Sequence, residues 1–203
     1  MALAGTACTG DIEADSTTTD SGAPSADADP NAPDANPSAP DATPRPDAAP
    51  IVGEPAALQG ITQLHNDERA LVGVAALAWD PALAAVAQAW AEQCIDNSAP
   101  IGLIDHNAGR SDNYPGYVGE NIYGSSGTAT AQRAVSSWAS EKTDYDYASN
   151  SCAPGKACGH YTQVVWSTSE RLGCALYNCP GLQYSSSLVC NYSPGGNNGG
   201  RPY

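Results

Sequence analysis

The sequence predicts an α+β domain with a mainly antiparallel sheet, carried behind a long acidic tether. Segments with helical periodicity come first and strand-like segments follow, which is the order expected of that fold class. Six of the seven cysteines lie between positions 94 and 190. The first 55 residues hold ten acids and one base, Arg45, for a net charge of −9.

The tether comes first in the chain. Prolines recur from Pro24 to Pro55 among Ala, Asp, Ser and Asn. Such a stretch buries too little apolar surface to offset an ordering entropy of about 1–2 kcal/mol per residue. Residues 9–55 are therefore expected to be a disordered, self-repelling tether. Residues 1–8, MALAGTAC, read as the remnant of a secretion or lipoprotein leader. Cys8 is the odd cysteine and a candidate for lipid attachment. No run of about 20 apolar residues occurs, so a lipid at Cys8 is the one membrane contact expected.

In residues 56–72, Leu58, Ile61, Leu64 and Leu71 fall at helical spacing. Asp80-Pro81 is a helix start, an N-cap acceptor followed by proline at the first helical position. The helix it opens runs over 82–93, with Leu83, Val86, Ala87 and Trp90 on one stripe. A third helix over 128–142 turns Val135 and Trp138 inward. Strand signals follow at 161–166, around Val164 and Val165, at 172–177, around Cys174 and Leu176, and at 187–192, around Leu188 and Cys190. Phenylalanine is absent, so Trp79, Trp90, Trp138, Trp166 and the tyrosines supply the aromatic part of the core. The six domain cysteines hold no C-x2-C pair of the kind common in zinc clusters and read as a disulfide framework of an exported protein. Composition leaves their connectivity open.

Several motifs in order carry a family resemblance. They are His65-Asn66-x-x-Arg69, Leu77-Ala78-Trp79-Asp80, Gly119-Glu120-Asn121-Ile122-Tyr123-Gly124, CGHYTQVVW from Cys158 to Trp166, Arg171-Leu172-Gly173-Cys174, Val189-Cys190-Asn191-Tyr192 and the closing Arg201-Pro202-Tyr203. Together they resemble the CAP superfamily of cysteine-rich secretory, antigen-five and plant pathogenesis-related proteins, most of all the plant type. The resemblance implies a three-layer α-β-α sandwich for residues 56–203. It also implies the pairings Cys94–Cys179, Cys152–Cys158 and Cys174–Cys190. Residues 107–118 depart from the plant pattern as an insertion, expected to form a lip.

The resemblance also implies a site. His106 and His160 match the family histidines and would hold zinc or another divalent metal, which folding would not require. Glu120 and Glu141 match the family glutamates, as partners to water or to the rings. Neutral imidazoles suit such ions. A buried His/Glu network without metal is the alternative. His65, away from the four site residues, reads as a structural or surface residue. Tyr145 and Tyr147 resemble a family loop implicated in sterol binding; the plainer reading places both at the rim of the core.

Two functions follow as expectations. One is a monomeric binding module, secreted or anchored at the cell surface, that takes a sterol, a lipid or a protein partner. The other is a metal-assisted hydrolase with Glu120 or Glu141 as base. The first is preferred, and an enzymatic role is not expected. No G-x-S-x-G or H-E-x-x-H occurs. Nucleic-acid binding is not expected either: the domain has twelve acids against seven bases, and the tether adds repulsion from phosphates.

Overall fold

The α+β order holds, with one strand exchanged for a helix. The computed structural model describes residues 14–15, 52–99 and 101–203. The leader at 1–8 with Cys8, and most of the tether, lie outside the described residues.

The two described parts of the tether belong to the folded unit. Ala14–Asp15 (β1) pairs in parallel with Gly124 and Ser125. The domain also reaches back past the boundary expected at position 56, although Val52 itself is 94% exposed. The reason is Glu54, 8% exposed. Its Oε2 accepts from Gly60 N (2.7 Å) and Gln59 Nε2 (3.0 Å), and its Oε1 accepts from Thr62 N (2.9 Å). Helix α1 (Ile61–Leu71) starts at Gly60, which has no side chain to cap it. A carboxylate from six residues upstream takes that part, satisfying amides that would otherwise be orphaned.

Helix α2 (Pro81–Ala91) begins where the Asp-Pro signal places it, Asp80 Oδ1 accepting from Ala82 N and Leu83 N. It follows a two-residue strand β2 (Ala78–Trp79). Strand β3 (Gly119–Ser125) leads to α3 (Ala131–Ser140), capped by Thr130, and to one 3-10 turn, Glu141–Thr143. A small hairpin, β4 (Tyr145–Asp146) and β5 (Ser151–Cys152), precedes α4 (Gly159–Val164). Strands β6 (Arg171–Asn178) and β7 (Ser186–Ser193) close the fold.

The strand expected at 161–166 is replaced by helix α4, with Val165 and Trp166 just beyond its end. Residues 160–165 are all buried, so neither period is readable from their hydrophobicity. Their β-branched content is overridden by contacts from elsewhere in the chain. Glu141 Oε2 accepts from His160 N (2.9 Å) and Tyr161 N (3.0 Å), holding the first turn. Helix α1 departs from expectation in one position: Leu71 is exposed, while the polar His65 and Arg69 lie fully buried.

The sheet runs β1-β3-β7-β6-β2. Its long core, β3-β7-β6, is antiparallel, and both short edge strands are parallel. Side chains alternate across it and divide the core in two. Tyr123, Leu172, Cys174, Leu188, Cys190 and Tyr192 pack with α1, α3 and α4. Ile122, Ala175 and Val189 pack with Ala87 and Ala91 of α2. This is the three-layer α-β-α sandwich. Gly173 permits its closest approach, because a Cβ there would lie 2.2 Å from Ala84 N of α2.

All three bridges form as expected: Cys94–Cys179, Cys152–Cys158 and Cys174–Cys190. The last joins residues directly opposite each other in the β6/β7 ladder.

Candidate functional site

The sites grow from consecutive residues of β3. Gly119 lies against α4, where a Cβ would meet Gln163 Oε1 at 2.0 Å. Glu120 and Asn121 then point to opposite faces of the sheet. Glu120 stands directly across from Asn191, which is itself across from Gly173 on the α2 face. Asn121 faces the other way and donates from Nδ2 to His160 O (3.1 Å) and to Tyr192 Oη (3.1 Å).

Each predicted histidine is held by one predicted glutamate. His106 Nδ1 lies 2.8 Å from Glu120 Oε1, which also accepts from Asn107 N (2.9 Å). The Glu120 side chain is fully buried, whereas that of His106 is 42% exposed. His160 Nδ1 lies 2.6 Å from Glu141 Oε1, and both side chains are buried. Trp138 lies roughly parallel to the His160 ring, 6.3 Å away between centroids. An ionised carboxylate only accepts, so Nδ1 carries the proton in both pairs, and in a neutral ring Nε2 then presents its lone pair. His160 Nε2 is buried with no hydrogen-bond partner. A small pocket lined by Ser140, Glu141, Asp144, Lys156 and Ala157 opens beside Glu141.

The four residues thus form two dyads. Among the described residues no hydrogen bond or ion pair joins one dyad to the other. Nor do three or more His, Cys, Asp or Glu side chains group there as ligands for one ion. The donor chemistry still suits a metal. A carboxylate on Nδ1–H fixes the tautomer and turns Nε2 outward, the outer-shell arrangement of metal-bound histidines.

His65 is structural. Its Nδ1 donates to Ile61 O and its Nε2 accepts from Tyr192 Oη, both at 2.8 Å. Burial, with the nearby Arg69 charge adding to it, lowers its pKa to about 4 against the backbone hydrogen bond that raises it. Burial likewise pushes the Tyr192 hydroxyl well above its usual range. His65, Tyr192, Asn121 and the His160 carbonyl form one buried chain.

The tyrosine loop is occupied by the chain itself. Tyr147 stacks on Tyr203 at 4.7 Å, lies under Arg201, and donates to the Tyr203 main-chain oxygen. Tyr145 donates to Asn150 Oδ1 and packs beside Tyr161. The insertion at 107–118 is ordered by Arg110, which donates to Val118 O (2.7 Å) and Asn107 O (2.8 Å). Tyr114 Oη fastens it to Asp80 Oδ2 at 2.6 Å. Sequence reasoning missed Asn121 as part of the site; it stands inside the Gly119–Gly124 motif, and only the tertiary structure shows that it faces the His160 backbone.

Comparison with known proteins agrees with this architecture. The profile of the CAP family, the cysteine-rich secretory protein family, matches residues 62–192. Pathogenesis-related leaf protein 4 of Solanum lycopersicum is 43% identical over 146 residues, covering 71% of this chain and 82% of that protein. Pathogenesis-related protein 1A1 of the same species is 47% identical over 134 residues, covering 66% and 69%. The solved structure of Schistosoma mansoni venom allergen-like protein 4 superposes with a TM-score of 0.53 at 27% identity, covering 71% of this chain and 91% of that one. The chain belongs to the CAP family. Within it, the chain is similar to plant pathogenesis-related proteins of the first type.

Proposed function

We propose that this protein is an exported binding module whose His–Glu dyads take up a divalent metal such as zinc through imidazole Nε2. The observation that carries this reading is His160. Its Nδ1–H is committed to Glu141, and its Nε2 lone pair lies buried and unpaired. A buried lone pair without a partner is costly, and a bound cation removes that cost. His106, in its own dyad with Glu120, offers a nitrogen in the same arrangement. An ion there would bring positive charge and Lewis acidity to an otherwise acidic protein. Export rests on the three disulfides, which persist in oxidising compartments. Attachment through Cys8 belongs to the same proposal and is read from the mass of the intact chain. A sterol, lipid or protein ligand would engage the rim carrying Tyr145 and Tyr147 only by displacing the Arg201–Tyr203 contacts.

The hydrolase reading draws on Glu120. Both Glu141 oxygens are taken by His160 Nδ1 and two backbone amides, whereas Glu120 Oε2 has no partner. Calorimetric titration of chelator-treated protein with zinc tests the binding reading. Zinc should bind near neutral pH and be released in acid, as protons compete for the nitrogens. His160→Ala should abolish binding with the fold intact. Unchanged binding in that variant would overturn the assignment. Turnover of peptide or ester substrates that needs metal and is lost in Glu120→Gln would favour the hydrolase.

A further inference from the structure

The α2 face of the sheet holds a second set of unpaired polar atoms. Asn191 is fully buried in the middle of β7, and both ends of its amide, Oδ1 and Nδ2, lack a hydrogen-bond partner. Glu120 Oε2 is also buried and unpaired. The two residues are direct partners in the β3/β7 ladder, so their side chains leave the same face with Cβ atoms about 5 Å apart. On the other side of Asn191 stands Gly173, which has no side chain to offer, with the first turn of α2 packed against it.

These atoms are chemically complementary. An amide N–H donates and a carboxylate oxygen accepts. No direct hydrogen bond joins them, and ladder spacing keeps them within reach of a single bridging molecule. Buried waters sit in such places, typically making about three hydrogen bonds to groups otherwise left unsatisfied. A cation would serve the two oxygens and leave Nδ2 unpaired, whereas water serves donor and acceptor alike.

We infer that Asn191 is a positioning residue that holds Glu120 Oε2 through one internal water. Glu120 Oε1 holds the His106 ring and the Asn107 amide. Asn191 therefore sets the orientation of His106 from inside the sheet, whether or not that ring takes a metal. It has no such hold on His160, whose ring is bound to Glu141 and lies beside Trp138 of the other core.

That separation supplies an internal control. In protein labelled with ¹⁵N-histidine, the Nδ1–H resonances of His106 and His160 are assigned by their loss in His106→Gln and His160→Gln. Asn191→Leu keeps the approximate shape and removes both polar ends. It should lose the His106 resonance to solvent exchange while the His160 resonance persists. Asn191→Ser, whose hydroxyl can still hold the water, should retain both. In the unaltered protein, the Asn191 side-chain amide protons should show a nuclear Overhauser effect to a long-lived water, a readout that does not depend on any variant folding. A His106 resonance unchanged in Asn191→Leu, or an amide with no such water signal, would overturn the inference. Zinc titration is not used here, so failure of this test and failure of the metal reading stay distinguishable.

Discussion

At position 69 a full positive charge sits in the interior, and among the described residues no carboxylate pairs with it. Arg69 donates from Nε to Ala75 O, from Nη1 to Val164 O and Trp166 O, and from Nη2 to Ser169 O, at 2.7–2.9 Å. Burial lowers its pKa to about 10, which still leaves it charged at neutral pH. The guanidinium ties α1 to the end of α4 and to the turn after it. Arg69→Ala would strand four carbonyls and should cost about 4 kcal/mol in urea denaturation. One turn earlier, His65 is held neutral by burial, with a folded pKa of about 4 against 6.5 in the unfolded chain. A lowered histidine pKa means that the unfolded state binds more protons between these values. Stability from this group is therefore complete above pH 6.5 and falls as the pH drops toward 4, by roughly 3 kcal/mol in all. His65→Gln should flatten that part of the stability–pH curve relative to the parent. Parallel curves for the two proteins would refute the assignment.

Two helices owe their starts to distant carboxylates. Glu141 fastens the first amides of α4 and the His160 ring together, so one side chain both begins an element and orients a site residue. Glu54 does the same for α1 from within the region that composition assigns to a tether. The consequence is a sharp boundary. A chain beginning at Val52 should melt like the full protein, whereas one beginning at Ala56 should lose about 2 kcal/mol, or roughly 4–8 °C in Tm. Equal melting of the two chains would show that Glu54 contributes little. The insertion at 107–118 is also an element in its own right. Arg110 closes it, and Tyr114 fastens it to the N-cap of α2, so the chain around His106 is supported by residues that follow it.

For the whole molecule, the disulfides and the sheet carry different parts of the stability. Cys94–Cys179 spans 85 residues and joins the end of α2 to the loop after β6, while Cys152–Cys158 spans six. Loop-closure entropy puts the first near 4–5 kcal/mol and the second near 2. Replacing both cysteines of each pair by serine should reproduce that order in denaturation midpoints. A larger loss from the short bridge would show that it acts mainly by holding Cys158 at the start of α4. Thiol titration of native protein should find no free thiol in residues 56–203.

Much of this was legible in the amino-acid sequence, wherever the signal is local. Asp80-Pro81 marks the start of α2 because capping needs only neighbouring atoms. Alternation at 172–177 and 187–192 marks β6 and β7 because each has a regular inner face. The family resemblance named His106, Glu120, Glu141 and His160 and the three bridges. Only the tertiary structure decided the rest. Residues 161–166 look like a strand because Val164 and Val165 favour one, yet Glu141 and burial on every side make them a helix. His65 reads as structural or surface from its type alone and nothing local marks Arg69 as buried, yet carbonyls and a hydroxyl, several from far along the chain, pair them inside. Glu120 and Asn121 are neighbours in sequence, and the pleat of β3 sends one to His106 and the other to the His160 backbone. Whether Asn191 faces Glu120 depends on ladder register between strands about 70 residues apart. Local composition cannot encode that register, because a slip of one residue would reverse every side chain while leaving the composition unchanged.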